Sequence, residues 1–149
     1  MQTTLGYELA KEVMATADIF LRESQRLFRP YGVTAVQYNV LNVLAASAEG
    51  LSQRELGDIL VVDRSNVTGL LDRLEKAGLV KRTDHPSDRR VYRVSLTAAG
   101  RRLWMKVQPL YFKVAAQVTA GLGEQQLRDA LTVLKSLQAG AVSWRLPEI

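Results

Sequence analysis

SQRELGDILVVDRSNVTGLLDRLEKAGLVKRTDHPSDRRVYRVSL, residues 52–96, decides the fold. Ser52-Gln53-Arg54-Glu55 has the Ser-x-x-Glu form of a capping box, in which the serine oxygen takes one free amide at a helix start and the glutamate reaches back for another. A helix is therefore predicted to begin here, with Leu56, Ile59 and Leu60 on its apolar face. The β-branched pair Val61-Val62 interrupts it, and Asp63 is a good N-cap for a second helix starting one residue later. That helix is predicted over residues 64–77, with Val67, Leu70, Leu71 and Leu74 at helical spacing and Gly78 in the left-handed stop position. Two short helices joined by a three-residue turn suggest a helix-turn-helix.

If the four apolar residues face inward, Arg64, Ser65, Asn66, Thr68, Gly69, Asp72, Arg73 and Lys76 remain outside. Short polar side chains near a helix N-terminus can exchange hydrogen bonds with base edges in a major groove, and asparagine suits adenine. Gly69 costs the helix roughly 1 kcal/mol against alanine, which close backbone approach to a ligand would explain. An amphipathic helix with a solvated outer face is the alternative. Residues 80–84 and 91–96 read as strands, and the turn-rich 85–90 between them makes a hairpin with arginines near its tip. Between residues 80 and 102, seven cationic side chains stand against Asp84 and Asp88, a surplus equal to the net charge of +5 of the whole chain. Such a concentration suits a phosphate-contacting surface, although a charged hairpin can also simply blunt a sheet edge.

In order and spacing, Leu51-Ser52-Gln53-Arg54-Glu55-Leu56, residues 63–80, Asp88-Arg89-Arg90 and Leu96-Thr97-Ala98-Ala99-Gly100 resemble the MarR (multiple antibiotic resistance regulator) family of winged-helix transcription factors. The resemblance covers about a third of the chain closely. It implies a homodimer that binds palindromic operators, usually as a repressor released by a small ligand. It also implies an Asp-x-Arg wing, matched by Asp88 and Arg90, in which the arginine enters the minor groove and the aspartate steadies it. An effector pocket between the dimer helices and the winged helix is implied too. Tyr38, Trp104, Tyr111 and Phe112 are candidates for its aromatic walls, though such residues are more often core.

Outward from the central stretch, residues 4–29 read as one long helix with Leu5, Leu9, Val13, Phe20 and Leu27 recurring at helical intervals, ended by Pro30. It has more apolar surface than a small DNA-binding core needs, which favours a dimer element over a plain core helix. Thr34 caps a core helix reaching about Ala46, and residues 47–50 form a short polar turn. Thr97 caps a helix running toward Ala120. Pro109 inside it removes a hydrogen bond at ~3 kcal/mol or more, so a bend is predicted at 106–109, where the family's fifth helix is usually continuous. A last helix is predicted over 124–139, with Leu127, Ala130, Leu131, Leu134 and Leu137 as a seam for core or intersubunit packing, and Gly140 closing it. The tail carrying Trp144 is expected to dock.

At 149 residues and 47% apolar, the chain can bury a core. No apolar run approaches the ~18 residues of a membrane helix and no signal-peptide pattern opens it, so no membrane role and a cytoplasmic location are expected. Zero cysteines excludes disulfides and thiol sensing. The single histidine, His85, has no acid–base partner beyond the wing aspartates. No nucleotide-binding glycine loop or metal-ligand spacing occurs, so no catalytic residue, metal or cofactor is expected.

The expected architecture is mainly α with a small antiparallel β wing. Residues 34–100 form a winged helix-turn-helix DNA-binding domain, and residues 1–33 and 101–149 supply N- and C-terminal dimerisation helices. The expected function is sequence-specific transcriptional regulation as a homodimeric repressor of a palindromic operator on double-stranded DNA, released by a small-molecule effector. Arg64, Ser65, Asn66, Thr68, Gly69, Arg73 and Lys76 would act from the recognition helix and Asp88, Arg89 and Arg90 from the wing. The alternative is a winged-helix protein–protein interaction module without specific DNA binding, against which the clustered positive charge argues.

Overall fold

The computed structural model describes residues 2–60, 64–84 and 91–143, and of residues 2, 3, 64 and 65 the backbone alone. The expected Asp63 cap, the wing-tip residues His85, Asp88, Arg89 and Arg90, and the Trp144 tail lie outside the described residues. The chain divides into two compact units, Met1–Leu110 and Tyr111–Ile149.

The first unit opens with α1 (Gln2–Phe28), followed by a 3-10 turn, Arg29–Tyr31, that contains Pro30 and ends on Gly32 in the left-handed conformation, φ +71. Thr34 then caps α2 (Ala35–Ala45) through a capping box that the sequence reading saw only in part. Gln37 N–H donates to Thr34 Oγ1 at 3.1 Å, and Thr34 N–H donates to Gln37 Oε1 at 2.8 Å. Gln25 of α1 ties the two helices together, donating to the Val33 carbonyl and accepting from Ala35 N–H.

Strand β1 (Leu51–Ser52) and helix α3 (Gln53–Leu60) follow. The predicted capping box is formed: Glu55 N–H donates to Ser52 Oγ at 3.2 Å, and Ser52 N–H donates to Glu55 Oε2 at 2.7 Å. Helix α4 (Arg64–Lys76) stops at Gly78, whose φ is +69. Gly78 N–H donates to the Glu75 carbonyl and Leu79 N–H to the Leu74 carbonyl, the paired bonds of a Schellman stop. Strands β2 (Val80–Asp84) and β3 (Tyr92–Leu96) then pair antiparallel from Val80 opposite Leu96 to Asp84 opposite Tyr92.

The sequence reading yields a two-stranded hairpin; the sheet has three strands, ordered β1-β3-β2, with Leu51 opposite Val94. Two residues carry no alternation to read. What brings them into the sheet is Gly50, at φ +74, so close to β3 that a Cβ there would meet the Val94 carbonyl oxygen at 2.5 Å.

The core of this unit is one cluster: Val40, Leu41 and Leu44 of α2, Leu56 of α3, Val67, Leu70, Leu71 and Leu74 of α4, and Val80 and Val94 of the sheet. Each such leucine, fully buried, contributes roughly 1.5–3 kcal/mol. A second cluster joins Phe28, Val33, Tyr38 and Val107.

Helix α5 (Ala98–Val118) begins in the first unit and ends in the second. Pro109 lies within it without breaking it. Pro109 and Met105, the residue whose carbonyl loses its intrahelical donor, are both exposed, so water can take the bond. The second unit holds the end of α5 and α6 (Glu124–Ser143). Gly140 does not close α6 as the sequence reading expects; the helix runs on to Ser143. A glycine stops a helix by turning left-handed, and among the described glycines only Gly32, Gly50 and Gly78 have positive φ.

The start of α5 is fastened to the end of α4. Thr97 Oγ1 donates to the Gly78 carbonyl at 2.6 Å and accepts from Gly100 N–H at 3.0 Å. Gly100 is buried, and a Cβ there would collide with the Leu79 carbonyl, its carbon only 2.9 Å away. Backbone cannot yield as a side chain does. Gly100→Ala is therefore expected to destabilise by about 3 kcal/mol, the upper part of the overpacking range. That is a fall of roughly 6–12 °C in the thermal midpoint of a chain this size, measured by circular dichroism.

Candidate nucleic-acid interface

Burial of Val67, Leu70, Leu71 and Leu74 fixes the roll of α4 and turns the opposite side to solvent. Asn66, Thr68, Arg73 and Lys76 are exposed there and Gly69 is half-buried; Arg64 and Ser65 occupy its first turn, with only their backbone described. Asn66, Thr68, Gly69, Arg73 and Lys76 thus lie on the side of α4 turned away from the core.

Part of that face borders a groove. Asn66, Gly69 and Arg73, at steps of three and four residues, line a groove of about 680 Å³ with Thr34, Val36 and Gln37 at the start of α2. Thr68 lies on the neighbouring stripe, where its Oγ1 accepts a hydrogen bond from Gln53 Nε2. Gln53, with Ser52 and Arg54, borders a smaller hollow of about 300 Å³ whose far wall is Arg82, Val91, Tyr92 and Val94 of the hairpin. Sequence reasoning missed Gln53. The capping box places it on the first turn of α3, but its reach to Thr68 depends on the crossing of two helices.

The charge of this region is less free than its composition suggests. Arg73, Lys76 and Lys81 are exposed. Arg82 is paired with Asp72 and Glu75 of α4, and Arg93 is half-buried with Nη1 donating to the Gly50 carbonyl at 2.8 Å. Arg101 and Arg102 are exposed but belong to the first turns of α5, not to the hairpin.

Of the four aromatic candidates for an effector wall, the first unit brings Tyr38 and Trp104 into one apolar cluster. Tyr38 is 3% exposed and stacks on Phe28 with ring centroids 4.5 Å apart, as a core residue does. Trp104 is half-buried and its Nε1 donates to Asn42 Oδ1 at 3.1 Å. Tyr111 and Phe112 are exposed and fall in the second unit. Among the described residues no group of three His, Cys, Asp or Glu could hold a metal ion, and no helix is long and apolar enough to cross a membrane.

Residues 31–91, from the end of the 3-10 turn to the residue before β3, match the sequence model of the MarR family. Over 146 residues the chain is 36% identical to the HTH-type transcriptional regulator TtmR of Methylorubrum extorquens, strain PA1, covering 97% of this chain and 74% of TtmR. The chain belongs to the MarR family. Its fold follows that of the M. tuberculosis regulator MosR in complex with DNA, at a TM-score of 0.75 and 29% identity over 91% of this chain and 98% of MosR. It also follows the PcaV regulator of Streptomyces coelicolor in complex with its natural ligand, at a TM-score of 0.75 and 25% identity over 89% and 96% of the two chains. The protein is a MarR-family transcriptional regulator and not an enzyme, and its mainly helical winged-helix architecture is the one its central motif implies.

Within this family setting Gly69 stands out, because nothing lies within 4 Å of a Cβ built on it and its φ is not positive. Packing therefore gives no reason for a glycine in the middle of α4. Gly69→Ala is expected to stabilise the free protein by roughly 1 kcal/mol. Thermal melting should show a rise of about 2–4 °C.

Proposed function

We propose that this protein is a cytoplasmic homodimeric repressor that binds an inverted-repeat operator and leaves it when a small molecule binds. The observation that carries the reading is the outward face of α4, where Asn66, Thr68, Arg73 and Lys76 are exposed opposite a fully committed apolar face. In this reading α4 enters the major groove, Ser65, Asn66 and Thr68 read base edges, and Arg64, Arg73 and Lys76 meet phosphates. Gly69 lets the helix backbone approach the duplex. Arg89 and Arg90 reach the flanking backbone and minor groove, with Asp88 steadying Arg90.

Residues 34–100 are the DNA-binding domain, and 1–33 with 101–149 form the dimer region. In support, α1 leaves Leu5 65% and Phe20 48% exposed and α6 leaves Leu131 58% exposed, large apolar side chains that a second copy would cover. Two-fold symmetry then sets half-sites about one helical turn apart, roughly 10 bp centre to centre. The effector is supported by the ligand-bound relative PcaV.

The test is affinity for a fragment of the gene's own upstream region, titrated across salt beside an unrelated fragment. The upstream fragment should bind selectively, with a steep negative salt slope; equal, weak binding to both would overturn the reading. In the same titration Arg90→Ala should weaken all operators alike and flatten the slope by ~0.9, the share of one phosphate. Asn66→Ala should instead relax preference at one base position, by about 1–3 kcal/mol, in a randomised-operator selection. Gly69→Ala, though more stable, should bind more weakly, and undiminished binding would remove close approach as the reason for the glycine.

A further inference from the structure

Arg82 is the middle residue of β2, opposite Val94 in the ladder, and its side chain lies back on α4, 21% exposed. Its Nη2 donates to Asp72 Oδ1 at 2.6 Å and its Nη1 donates to Glu75 Oε2. Its backbone N–H donates to Glu75 Oε1 at 3.2 Å, so Glu75 grips both the side chain and the main chain of the same strand residue. Burial by itself would lower the guanidinium pKa, but the hydrogen bonds to Asp72 and Glu75 outweigh it and raise the pKa above its ordinary value. A planar guanidinium holds two carboxylates only within a narrow range of orientations, which makes this a directional tie as well as a charge pair.

The two acids stand where electrostatics alone would not put them. Asp72 directly precedes Arg73 and Glu75 directly precedes Lys76, on the helix whose other exposed residues are polar or cationic. A carboxylate on a surface that meets phosphates repels its ligand. Their geometry supplies the reason: both point at one strand of the hairpin. The β2–β3 ladder has five paired positions, and segment 85–90 joins the two strands, so whatever fixes β2 to α4 fixes the ladder to the helix.

We propose that Arg82, Asp72 and Glu75 form a brace that sets the angle between the recognition helix and the wing ladder, so that both seat on one duplex together. Arg82 is then a positioning residue and not a phosphate contact. The inference rests on the DNA-binding reading above and adds three residues to it.

The decisive substitution is Glu75→Gln in the full-length chain. Removing a negative charge beside DNA should tighten binding if only Coulomb attraction matters; loss of a brace weakens it. The expected result is a loss of about tenfold in affinity for the upstream fragment, in the range of coupled neighbouring residues, at a temperature well below the melting point. Asp72→Asn should act in the same direction. Arg82→Gln should weaken binding at least as much, with a salt slope parallel to the parent's, and should cost little more when added to Glu75→Gln.

Unchanged or tighter binding by Glu75→Gln overturns the brace, including the case in which that variant only melts earlier. A slope reduced by ~0.9 in Arg82→Gln overturns it too, because that is the mark of a direct phosphate contact. Should Arg82→Gln not fold, the sign of the Glu75→Gln effect decides alone. If the parent itself fails to discriminate the upstream fragment, the DNA-binding reading falls and the brace with it. A parent that discriminates beside a Glu75→Gln variant of equal affinity removes the brace only.

Discussion

The inward commitment of α4 is the constraint on which the rest of this structure depends. A thirteen-residue helix with Val67, Leu70, Leu71 and Leu74 buried has no freedom of roll, because these four pack in one cluster with residues of α2 and α3 and with Val80 and Val94 of the sheet. Losing any one of those leucines to alanine would cost about 2–5 kcal/mol, a large part of the stability of a small domain. Because the roll is fixed by the core, the outward set is fixed as well. Asn66, Thr68, Arg73 and Lys76 are presented as a consequence of packing, before any ligand is considered.

What was legible in the sequence follows from this. Ser52 and Glu55 announce a helix start because both halves of the capping box are local, three residues apart. Gly78 announces a stop because a single φ decides it, and the apolar spacing within α4 announces its buried face because helical periodicity needs no tertiary knowledge. The features that stayed hidden are those made by residues far apart in sequence. Strand β1 exists because Gly50 approaches Val94, 44 positions on. Gln53 meets α4 through Thr68, fifteen residues away, and Arg82 through Asp72, ten away. The misread end of α6 has a different cause. Gly140 resembles a stop in composition, but a glycine ends a helix only when its backbone turns left-handed, and here it does not.

The junction of Gly78, Leu79, Thr97 and Gly100 shows how a short motif can tie three elements. Thr97 caps α5 while donating to the carbonyl that ends α4, and its backbone N–H donates to the carbonyl of Leu79, which leads into β2. Gly100 is required because the first turn of α5 passes against that same carbonyl with no room for a side chain. One threonine and one glycine therefore hold the end of α4, the root of the hairpin and the start of α5 at a single point.

Charge needs the same treatment as apolar periodicity, and a composition count alone misleads. The seven cations between residues 80 and 102 are not equivalent: Arg82 is engaged by two carboxylates, Arg93 by a main-chain carbonyl, and Arg101 and Arg102 sit on a different element. The pairing of Arg82 also changes the meaning of Asp72 and Glu75. On a helical wheel they are two negative charges beside Arg73 and Lys76; with Arg82 between them, the three side chains together carry one negative charge in place of two. The electrostatics that a duplex would meet are therefore decided by which charges the fold has already paired, and that pairing is set by the same packing that fixes the roll of α4.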